Sequence, residues 1–338
     1  MTIRLKPLRE QVIVVTGATS GNGLATVEAA VAQGAACVAV ARNAPALDAL
    51  RTRLSATGGR IATCVADVSD PAAVDRVVTV AIDSFGGFDS WVNNAGIGTY
   101  GTLEQVPVAD HRRMFDVNYF GTLHGALAAA RHLRTRGGGA IVNIGSILSD
   151  RAIVQQGPYT ATKHAVQALT DTLRMELERD NAGISVTLVK PGPIDTPFPE
   201  HARNFMDQPP RLPHPLYAPQ VVADAILFAC AHPRRTLYAG GGGLLASLLA
   251  QAAPRLTDVI MESFGTKAQQ KPDDAGDPTR RDNLEQPRTD ALRGSQNVRA
   301  RQSSIALQVQ KAASSRLLFG TLAGGAVLAA LRLARSRR

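Results

Sequence analysis

The sequence predicts an α/β fold, a doubly wound parallel sheet in a single domain with a C-terminal tail. Two observations carry this prediction. Between residues 12 and 250, short β-branched runs alternate with stretches of helical length, the pattern of a parallel sheet that helices cover on both faces. A glycine-rich stretch at residues 16–23 joins the first run to the first helical stretch, as is typical of the first strand–helix turn in such sheets.

The predicted elements alternate along the chain. Strands are predicted at residues 12–16, 36–41, 61–66, 90–93, 140–144, 185–189 and 236–238. Helices are predicted at residues 21–33, 45–55, 71–85, 104–135, 159–179 and 219–231. Three glycines at residues 137–139 end the longest helix. The prolines of residues 191–218 predict a loop region with short helical turns at most.

Composition divides the chain into a domain and a tail. Residues 1–264 are assigned to the domain. Residues 265–301 are rich in Lys, Arg, Asp, Gln, Pro and Gly and nearly lack large apolar side chains, which predicts a disordered linker. Residues 302–338 form a basic tail that contains an apolar run at residues 317–331.

The net charge of +9 describes the tail rather than the domain. Residues 291–338 hold nine of the 37 Lys and Arg and no Asp or Glu, which leaves 28 basic and 28 acidic residues before them. A neutral domain gives no indication of nucleic-acid binding.

Cysteine and histidine usage indicates neither a disulfide framework nor a metal site. Cys37, Cys64 and Cys230 are far apart in apolar runs, so we expect buried free thiols and a cytoplasmic protein. The N-terminus lacks the apolar core of a signal peptide. No helical histidine has a carboxylate or cysteine partner at ligand spacing, so no metal is expected.

Tyr159 and Lys163 are the most informative pair of residues. Four residues apart on a predicted helix, they share one face. A phenol with a pKa near 10 is a poor acid or base at pH 7, whereas a cation at about 4 Å favours the phenolate by roughly 4 kcal/mol before desolvation is subtracted. We therefore expect Lys163 to lower the pKa of Tyr159 towards the range of a general acid/base.

The order and spacing of several motifs resemble the short-chain dehydrogenase/reductase family. They are the TGxxxGxG stretch from Thr16 to Gly23, the Asn-Asn-Ala-Gly sequence at 93–96, Asn118, Ser146, and the YxxxK motif from Tyr159 to Lys163. The resemblance covers about residues 8–245 and includes residues 191–196, which match the family's segment beside the nicotinamide. It departs at Asn22, where the family usually has an apolar residue.

The resemblance implies a catalytic set of Tyr159, Lys163, Ser146 and Asn118. Tyr159 transfers the proton, Ser146 holds the substrate oxygen, Lys163 also binds the nicotinamide ribose, and Asn118 distorts its helix and holds a water that links the lysine to solvent. Ser146 follows a predicted strand, and open α/β sheets bind ligands at that carboxyl edge. The implied cofactor-binding residues are Gly17, Thr19, Ser20, Gly21, Asn22, Gly23, Arg42, Asp67, Val68, Asn94, Ala95, Gly96, Tyr159, Lys163, Pro191, Gly192, Ile194 and Thr196.

Cofactor choice depends on the end of the second strand. NAD-binding folds place an acidic residue there for the ribose 2′-hydroxyl, whereas NADP requires a cation. Here the acidic position is Ala41, and Arg42 follows where NADP-binding members of the family carry arginine. NADP(H) is therefore expected over NAD, unless Arg42 is only a solvated surface residue. Asp67 matches the family's adenine-contacting aspartate, with helix capping as the alternative.

These residues predict an NADP(H)-dependent oxidoreductase that moves a hydride between the nicotinamide and a carbonyl/alcohol substrate. The apolar side chains of the 197–218 region suggest an apolar substrate; they are Phe198, Phe205, Met206, Leu212, Leu216 and Tyr217. Two other classes stay open: an epimerase or dehydratase that uses the nicotinamide transiently, and a non-catalytic NADP-binding protein. The family also implies a homo-oligomer through the helices at 104–135 and 159–179.

The apolar run at residues 317–331 has two open interpretations. As a helix it spans about 22 Å, short of the roughly 30 Å of a bilayer core, although flanking arginines that snorkel narrow the gap. One interpretation is membrane association, either across the bilayer or on its surface. The other is a helix packed on its own domain or on a partner subunit.

Overall fold

A computed structural model describes residues 3–271, 274, 281–288 and 300–313, without the side chains of residues 243–246, 248 and 264. The predicted apolar run at 317–331 therefore lies outside the described residues. No helix within the described ranges is long and apolar enough to cross a membrane.

A parallel sheet of seven strands forms the centre of the domain. Its strands are β1 (Val12–Thr16), β2 (Ala36–Ala41), β3 (Ile61–Val65), β4 (Ser90–Asn93), β6 (Gly139–Ile144), β7 (Ile184–Pro191) and β9 (Thr236–Ala239). A separate two-stranded sheet pairs β5 (Thr99–Tyr100) with β8 (Arg203–Asn204). The large sheet has the order β3-β2-β1-β4-β6-β7-β9. The strand order therefore reverses between β1 and β4, and a crevice at the carboxyl ends of the strands is expected at such a reversal.

Helices cover both faces of the sheet. They are α1 (Gly21–Ala32), α2 (Ala44–Ser55), α3 (Pro71–Phe85), α4 (Val108–Met114), α5 (Gly121–Thr135), α6 (Gly157–Arg179), α7 (Phe198–His201), α8 (Pro219–Ala231), α9 (Gly241–Ala252), α10 (Pro254–Ala268) and α11 (Ile305–Ala312). The doubly wound α/β prediction is thus confirmed. Helices α9, α10 and α11 were not predicted from the sequence.

The strands are buried on both faces because alternate side chains enter two separate cores. In β1, Ile13 and Val15 pack with α1 and α8, whereas Val14 packs with α3 and α5. Successive strand residues point to opposite faces, so a strand between two helical layers needs apolar residues throughout. This requirement explains the uninterrupted apolar runs of the sequence.

The predicted long helix at 104–135 is interrupted in the structure. It starts at Val108, and residues Phe115–Phe120 form a π-helical turn between α4 and α5. Such turns insert an extra residue into a helix and frequently occur at functional sites. Asn118, predicted to distort this helix, lies in that turn.

The region after the sheet differs from the predicted linker. Helix α10 continues past residue 264 to Ala268, and residues 281–288, which we call the 281–288 segment, pack on the domain. Leu284 of this segment is fully buried in the core beside α3 and α5. Composition alone therefore misjudged residues 265–301 in part, because a buried leucine, the ion pair of Asp282 with Arg203 and hydrogen bonds to the backbone hold this segment on the domain. The three cysteines are buried free thiols, as expected.

Candidate active site

The turn after β1 brings the backbone into unusually close contact with itself. A Cβ on Gly23 would lie 2.1 Å from the Gly17 carbonyl oxygen, and one on Gly17 would lie 2.9 Å from the Ala95 Cα. Gly17 also has φ +68, a conformation that favours glycine. Only glycines can form this turn, which presents the start of α1 to the crevice.

Hydrogen bonds join this turn to the loop after β4. The Thr16 hydroxyl accepts from the backbone nitrogens of Asn94 and Ala95, both at 3.0 Å. The Asn94 side chain donates to the Thr16 carbonyl at 2.9 Å. These hydrogen bonds fix the turn after β1 and the loop after β4 relative to each other. The two form the walls of the crevice at the strand-order reversal.

Asn22 supports the assignment of this turn as a dinucleotide site. Its Oδ1 atom is buried and has no hydrogen-bond partner within the described residues. A buried polar atom without a partner is costly and calls for an explanation. An amide oxygen only accepts hydrogen bonds, so this atom fits a donor such as a ribose hydroxyl, whereas the backbone nitrogens at the start of α1 fit a phosphate.

Tyr159 and Lys163 lie on one face of α6, as the sequence predicts. The Lys163 Nζ atom lies 5.6 Å from the centroid of the Tyr159 ring and donates a hydrogen bond to the Ile144 carbonyl at 2.8 Å. The other side of the phenol ring meets Phe198, with ring centroids 5.2 Å apart. The pair therefore faces the carboxyl ends of the strands.

The direction of the Tyr159 pKa contradicts the expectation from the sequence. Burial raises the pKa of Tyr159, and hydrogen bonding with the Ser146 hydroxyl opposes this only in part. Burial also lowers the pKa of Lys163 to about 8. Desolvation disfavours the charged form of both groups, and it is the main cause of both shifts. At neutral pH the phenol is protonated, and Lys163 still carries a charge for the most part.

Ser146 is fixed by reciprocal hydrogen bonds in the turn that follows β6. Its Oγ accepts from the Leu148 backbone nitrogen at 3.0 Å, and its own backbone nitrogen donates to the Ser149 hydroxyl at 3.1 Å. Asp150 ends the turn and accepts a hydrogen bond from Lys190 at 2.7 Å. This buried ion pair anchors the turn that carries Ser146.

Asn118 holds the π-helical turn against the loop after β4. Its Oδ1 accepts from the Ile97 nitrogen at 2.9 Å, and its Nδ2 donates to the Ile97 carbonyl and the Thr162 hydroxyl, both at 3.0 Å. No described contact joins Asn118 directly to Lys163. A Cβ on Gly96, however, would meet the Asn118 Oδ1 at 3.4 Å and the Lys163 Nζ at 4.0 Å, so both groups border the same small space.

Arg42 and Asp67 lie at the opposite end of the crevice, with Arg113 of α4 beside them. The Arg113 Nη2 atom donates to the Asp67 carboxylate at 2.7 Å, and the Arg42 Nη1 atom lies 3.9 Å from it. Burial raises the pKa of Asp67, but hydrogen bonds from Arg113 and Ser69 outweigh it and keep that pKa below its ordinary value. Sequence reasoning missed Arg113, because a lone arginine in a helix carries no signal.

The crevice itself encloses about 300 Å³. It is lined by Ser146 and by all the predicted cofactor-binding residues except Gly23, which packs against Gly17 instead. The crevice is also lined by residues from several parts of the chain that were not predicted from the sequence. They include Asn43, Leu148, Ile153, Gln156, His201, Pro213, Gln269, Asn283, Pro287 and Arg288.

The end of the crevice beside Tyr159 is lined by both apolar and amide side chains. Of the apolar residues proposed from the 197–218 region, only Phe198 and Leu212 line it. The other four do not line it; they are Phe205, Met206, Leu216 and Tyr217. Gln156 donates a hydrogen bond to Gln269, which follows α10, so the region after the sheet closes this end.

No group of three or more His, Cys, Asp or Glu residues within the described ranges is placed to hold a metal ion.

Comparison with known proteins places these features in context. The sequence profile of the short chain dehydrogenases matches residues 11–207. An uncharacterized oxidoreductase of Bacillus subtilis, YxnA, is 45% identical over 264 residues, which are 78% of this chain and 74% of the relative.

Two solved structures are similar at 26% identity. L-sorbose reductase from Gluconobacter frateurii, complexed with NADPH and L-sorbose, aligns over 70% of this chain and 97% of its own with a TM-score of 0.60. A short chain dehydrogenase/reductase from Burkholderia phymatum in complex with NAD aligns over 76% and 96%, with a TM-score of 0.66.

Proposed function

Because the chain belongs to the short-chain dehydrogenase family, we propose that it is an NADP(H)-dependent oxidoreductase of a carbonyl/alcohol substrate. The observation that carries the proposal is the arrangement of Tyr159, Ser146 and Lys163 around one crevice, with the glycine turn on its other wall. The nicotinamide, when bound, supplies or accepts the hydride.

Side chains of this protein supply the proton and the positive charge that stabilises the resulting phenolate. In reduction, the protonated Tyr159 donates its proton to the carbonyl oxygen, and Ser146 holds that oxygen by a hydrogen bond. The Lys163 ammonium then stabilises the phenolate through space. Asn118 keeps the loop at Ile97 in position and borders the space beside Lys163.

Two observations support NADP(H) over NAD. Ala41, at the end of β2, offers no carboxylate to a ribose hydroxyl, and Arg42 lines the crevice directly after it. A guanidinium is well suited to a phosphate because it binds in a bidentate manner. Asp67 lies in the same region and is already hydrogen-bonded by Arg113.

Apolar side chains at the end of the crevice beside Tyr159 support a largely apolar substrate; they are Phe198, Leu148, Ile153 and Leu212. Such surfaces exclude water and strengthen the hydrogen bonds made inside them. The amide groups of Gln156 and Gln269 are the polar exceptions.

The test is the Tyr159→Phe variant, assayed with a panel of ketones, aldehydes and alcohols. It should lose turnover while its Kd for NADPH stays unchanged, because only the proton-transferring hydroxyl is removed. Tyr100→Phe is the matched control: Tyr100 is fully buried, and its hydroxyl has no hydrogen-bond partner within the described ranges. Turnover retained by Tyr159→Phe at the wild-type rate contradicts the assignment.

The same proposal includes a homo-oligomer. Large apolar side chains remain exposed along α5 and α6, with Leu127 at 42% and Met175 at 57% exposure, and Phe120 of the adjoining π-helical turn at 43%. We propose that these side chains contribute to a contact between subunits. Sedimentation of the purified protein should give at least a dimer.

A further inference from the structure

The 281–288 segment lies across the end of the crevice where Arg42 is located. The Arg42 Nη1 atom donates to the Glu285 carbonyl at 2.9 Å and to the Leu284 carbonyl at 3.4 Å, and its Nη2 atom donates to the Asn283 carbonyl. Asn43, the next residue, donates to the Arg288 carbonyl at 2.9 Å. Backbone oxygens of the segment thus accept hydrogen bonds from Arg42, the residue that we propose to bind the 2′-phosphate of NADP(H).

The same segment is anchored on the substrate side. Asp282 accepts from the Arg203 Nε atom at 2.8 Å, the Asn283 nitrogen donates to the His201 carbonyl at 2.9 Å, and the Arg288 Nη1 atom donates to the Glu200 carbonyl at 2.8 Å. Leu284 is fully buried beneath it. These contacts hold the segment in one defined place over the crevice.

The charges around Arg42 are balanced when the segment is in place. Asp67 lies between Arg42 and Arg113, and the Glu285 carboxylate lies 3.5 Å from the Arg113 Nε atom. Two guanidinium groups therefore face two carboxylates and three carbonyl oxygens. A phosphate needs hydrogen-bond donors and positive charge, whereas a ribose hydroxyl can donate to a carbonyl oxygen.

We propose that the 281–288 segment competes with the 2′-phosphate of NADP(H) for Arg42, so that NADP(H) binds after the segment withdraws while NAD(H) binds with it in place. This inference rests on the proposed function, in which Arg42 recognises the 2′-phosphate. The segment is then a selectivity device that disfavours the phosphorylated cofactor. A ligand or partner that displaces it raises the affinity for NADP(H).

Adenosine 2′,5′-bisphosphate and adenosine 5′-monophosphate provide the direct test, because they differ only in the 2′-phosphate. If the segment occupies Arg42 in about nine tenths of the molecules, its release tightens the apparent Kd for the bisphosphate by about tenfold. By calorimetry, Leu284→Ala in the full chain should show this gain and leave the Kd for the monophosphate within about twofold. An unchanged bisphosphate Kd, or equal tightening of both ligands, overturns the proposal.

Matched controls separate this effect from a general loss of stability. Leu307 is equally buried but belongs to the other core, so Leu307→Ala should not change the preference between the two nucleotides. If Leu284→Ala does not fold, Asp282→Ala provides the same test, since it removes the ion pair with Arg203. Its control is Asp75→Ala, which breaks an exposed ion pair between Asp75 on α3 and Arg131 on α5.

Hydrogen exchange gives a second readout that does not depend on turnover. The backbone N–H of Asn283 donates a hydrogen bond to the His201 carbonyl. Its exchange rate should rise when the bisphosphate is added and should stay the same with the monophosphate. Unchanged or slower exchange with the bisphosphate contradicts withdrawal of the segment.

Arg42→Ala distinguishes failure of this proposal from failure of the proposed cofactor. If Arg42→Ala weakens bisphosphate binding while Leu284→Ala has no effect, only the competition is wrong. If Arg42→Ala leaves the Kd for the bisphosphate unchanged both in the wild-type protein and in Leu284→Ala, the NADP(H) assignment is wrong. The proposed competition is then wrong as well.

Discussion

Lys163 approaches the Tyr159 ring to 5.6 Å but gives its hydrogen bond to the Ile144 carbonyl. The amine therefore acts on the phenol through space and is positioned by the end of β6. Because both groups are buried, the pKa of Lys163 falls to about 8 and that of Tyr159 rises. Within the pH range of ordinary assays, the lysine is the member of the pair that titrates.

This order of titration predicts the pH dependence of carbonyl reduction. The pKa of Lys163 is lowered from 10.5 to about 8, so the ammonium is lost as the pH rises through about 8, while Tyr159 stays protonated. The kcat/KM for reduction should fall above that pH, because the phenolate loses its stabilising charge. Lys163→Arg, which stays charged, should keep its residual activity constant between about pH 7 and 10. A wild-type profile that is flat over this range contradicts the role of Lys163.

Gly23→Ala should weaken NADPH binding by more than about tenfold. Its Cβ would lie 2.1 Å from the Gly17 carbonyl oxygen and 2.6 Å from the Asn94 side chain, so the turn must change its conformation. Gly242→Ala is the control, since the nearest atoms to its Cβ are 3.9 Å away. Equal NADPH affinities for the two variants, measured by calorimetry, argue against this turn as the phosphate site.

Asn118→Ala should destabilise the protein by about 3 kcal/mol, because it leaves the buried nitrogen and carbonyl of Ile97 without their partner. Thr122→Val is the comparison: it removes a buried hydroxyl that donates only to the Asn118 carbonyl, at a cost of about 1 kcal/mol. Urea unfolding measures both. If Asn118→Ala is no more destabilising than Thr122→Val, the amide does not hold the π-helical turn.

Asp150→Asn should cost about 3–5 kcal/mol, because it leaves the buried Lys190 without its counter-charge. Both side chains are nearly inaccessible to solvent, with 4% of Asp150 and 6% of Lys190 exposed. Asp75→Asn, in an exposed pair, should cost less than about 1 kcal/mol. Similar urea midpoints for the two variants contradict the importance of the buried pair.

The stability difference between wild type and Asp150→Asn should also depend on pH. Burial raises the pKa of Asp150, but Lys190 outweighs it and lowers that pKa below its ordinary value of 3.8. A carboxylate whose pKa is lower in the folded than in the unfolded state stabilises the fold at pH values above its unfolded-state pKa. This stabilisation is lost as the pH falls through the folded-state pKa. The difference should therefore be full at neutral pH and shrink below about pH 4.

Features fixed by local periodicity could be predicted from the sequence. The four-residue spacing of Tyr159 and Lys163 places them on one helical face whatever surrounds them, and the glycines at 17 and 23 fit only a close turn. The direction of the Tyr159 pKa was not predictable in this way. It depends on how deeply the helix and Phe198 bury the phenol, which is a property of the tertiary structure.

Contacts made by the backbone leave no trace in the sequence. Arg42 is bound by carbonyl oxygens of residues 283–285, and any amino acid supplies such an oxygen. Composition therefore predicted a linker where the structure has an anchored segment. Arg113 was missed for a related reason, since its role depends on the neighbours that folding places beside it.

Gln269 closes the substrate end of the crevice from a position well beyond residues 11–207, the part of the chain that matches the family profile. The groups that we propose to transfer the proton and this part of the crevice wall thus belong to different stretches of the polypeptide. Mutations accumulating after residue 240 can reshape which molecules are admitted while the proton-transfer apparatus is inherited intact. A substitution at Gln269 can therefore change part of this wall while the lining residues that precede residue 240 stay the same.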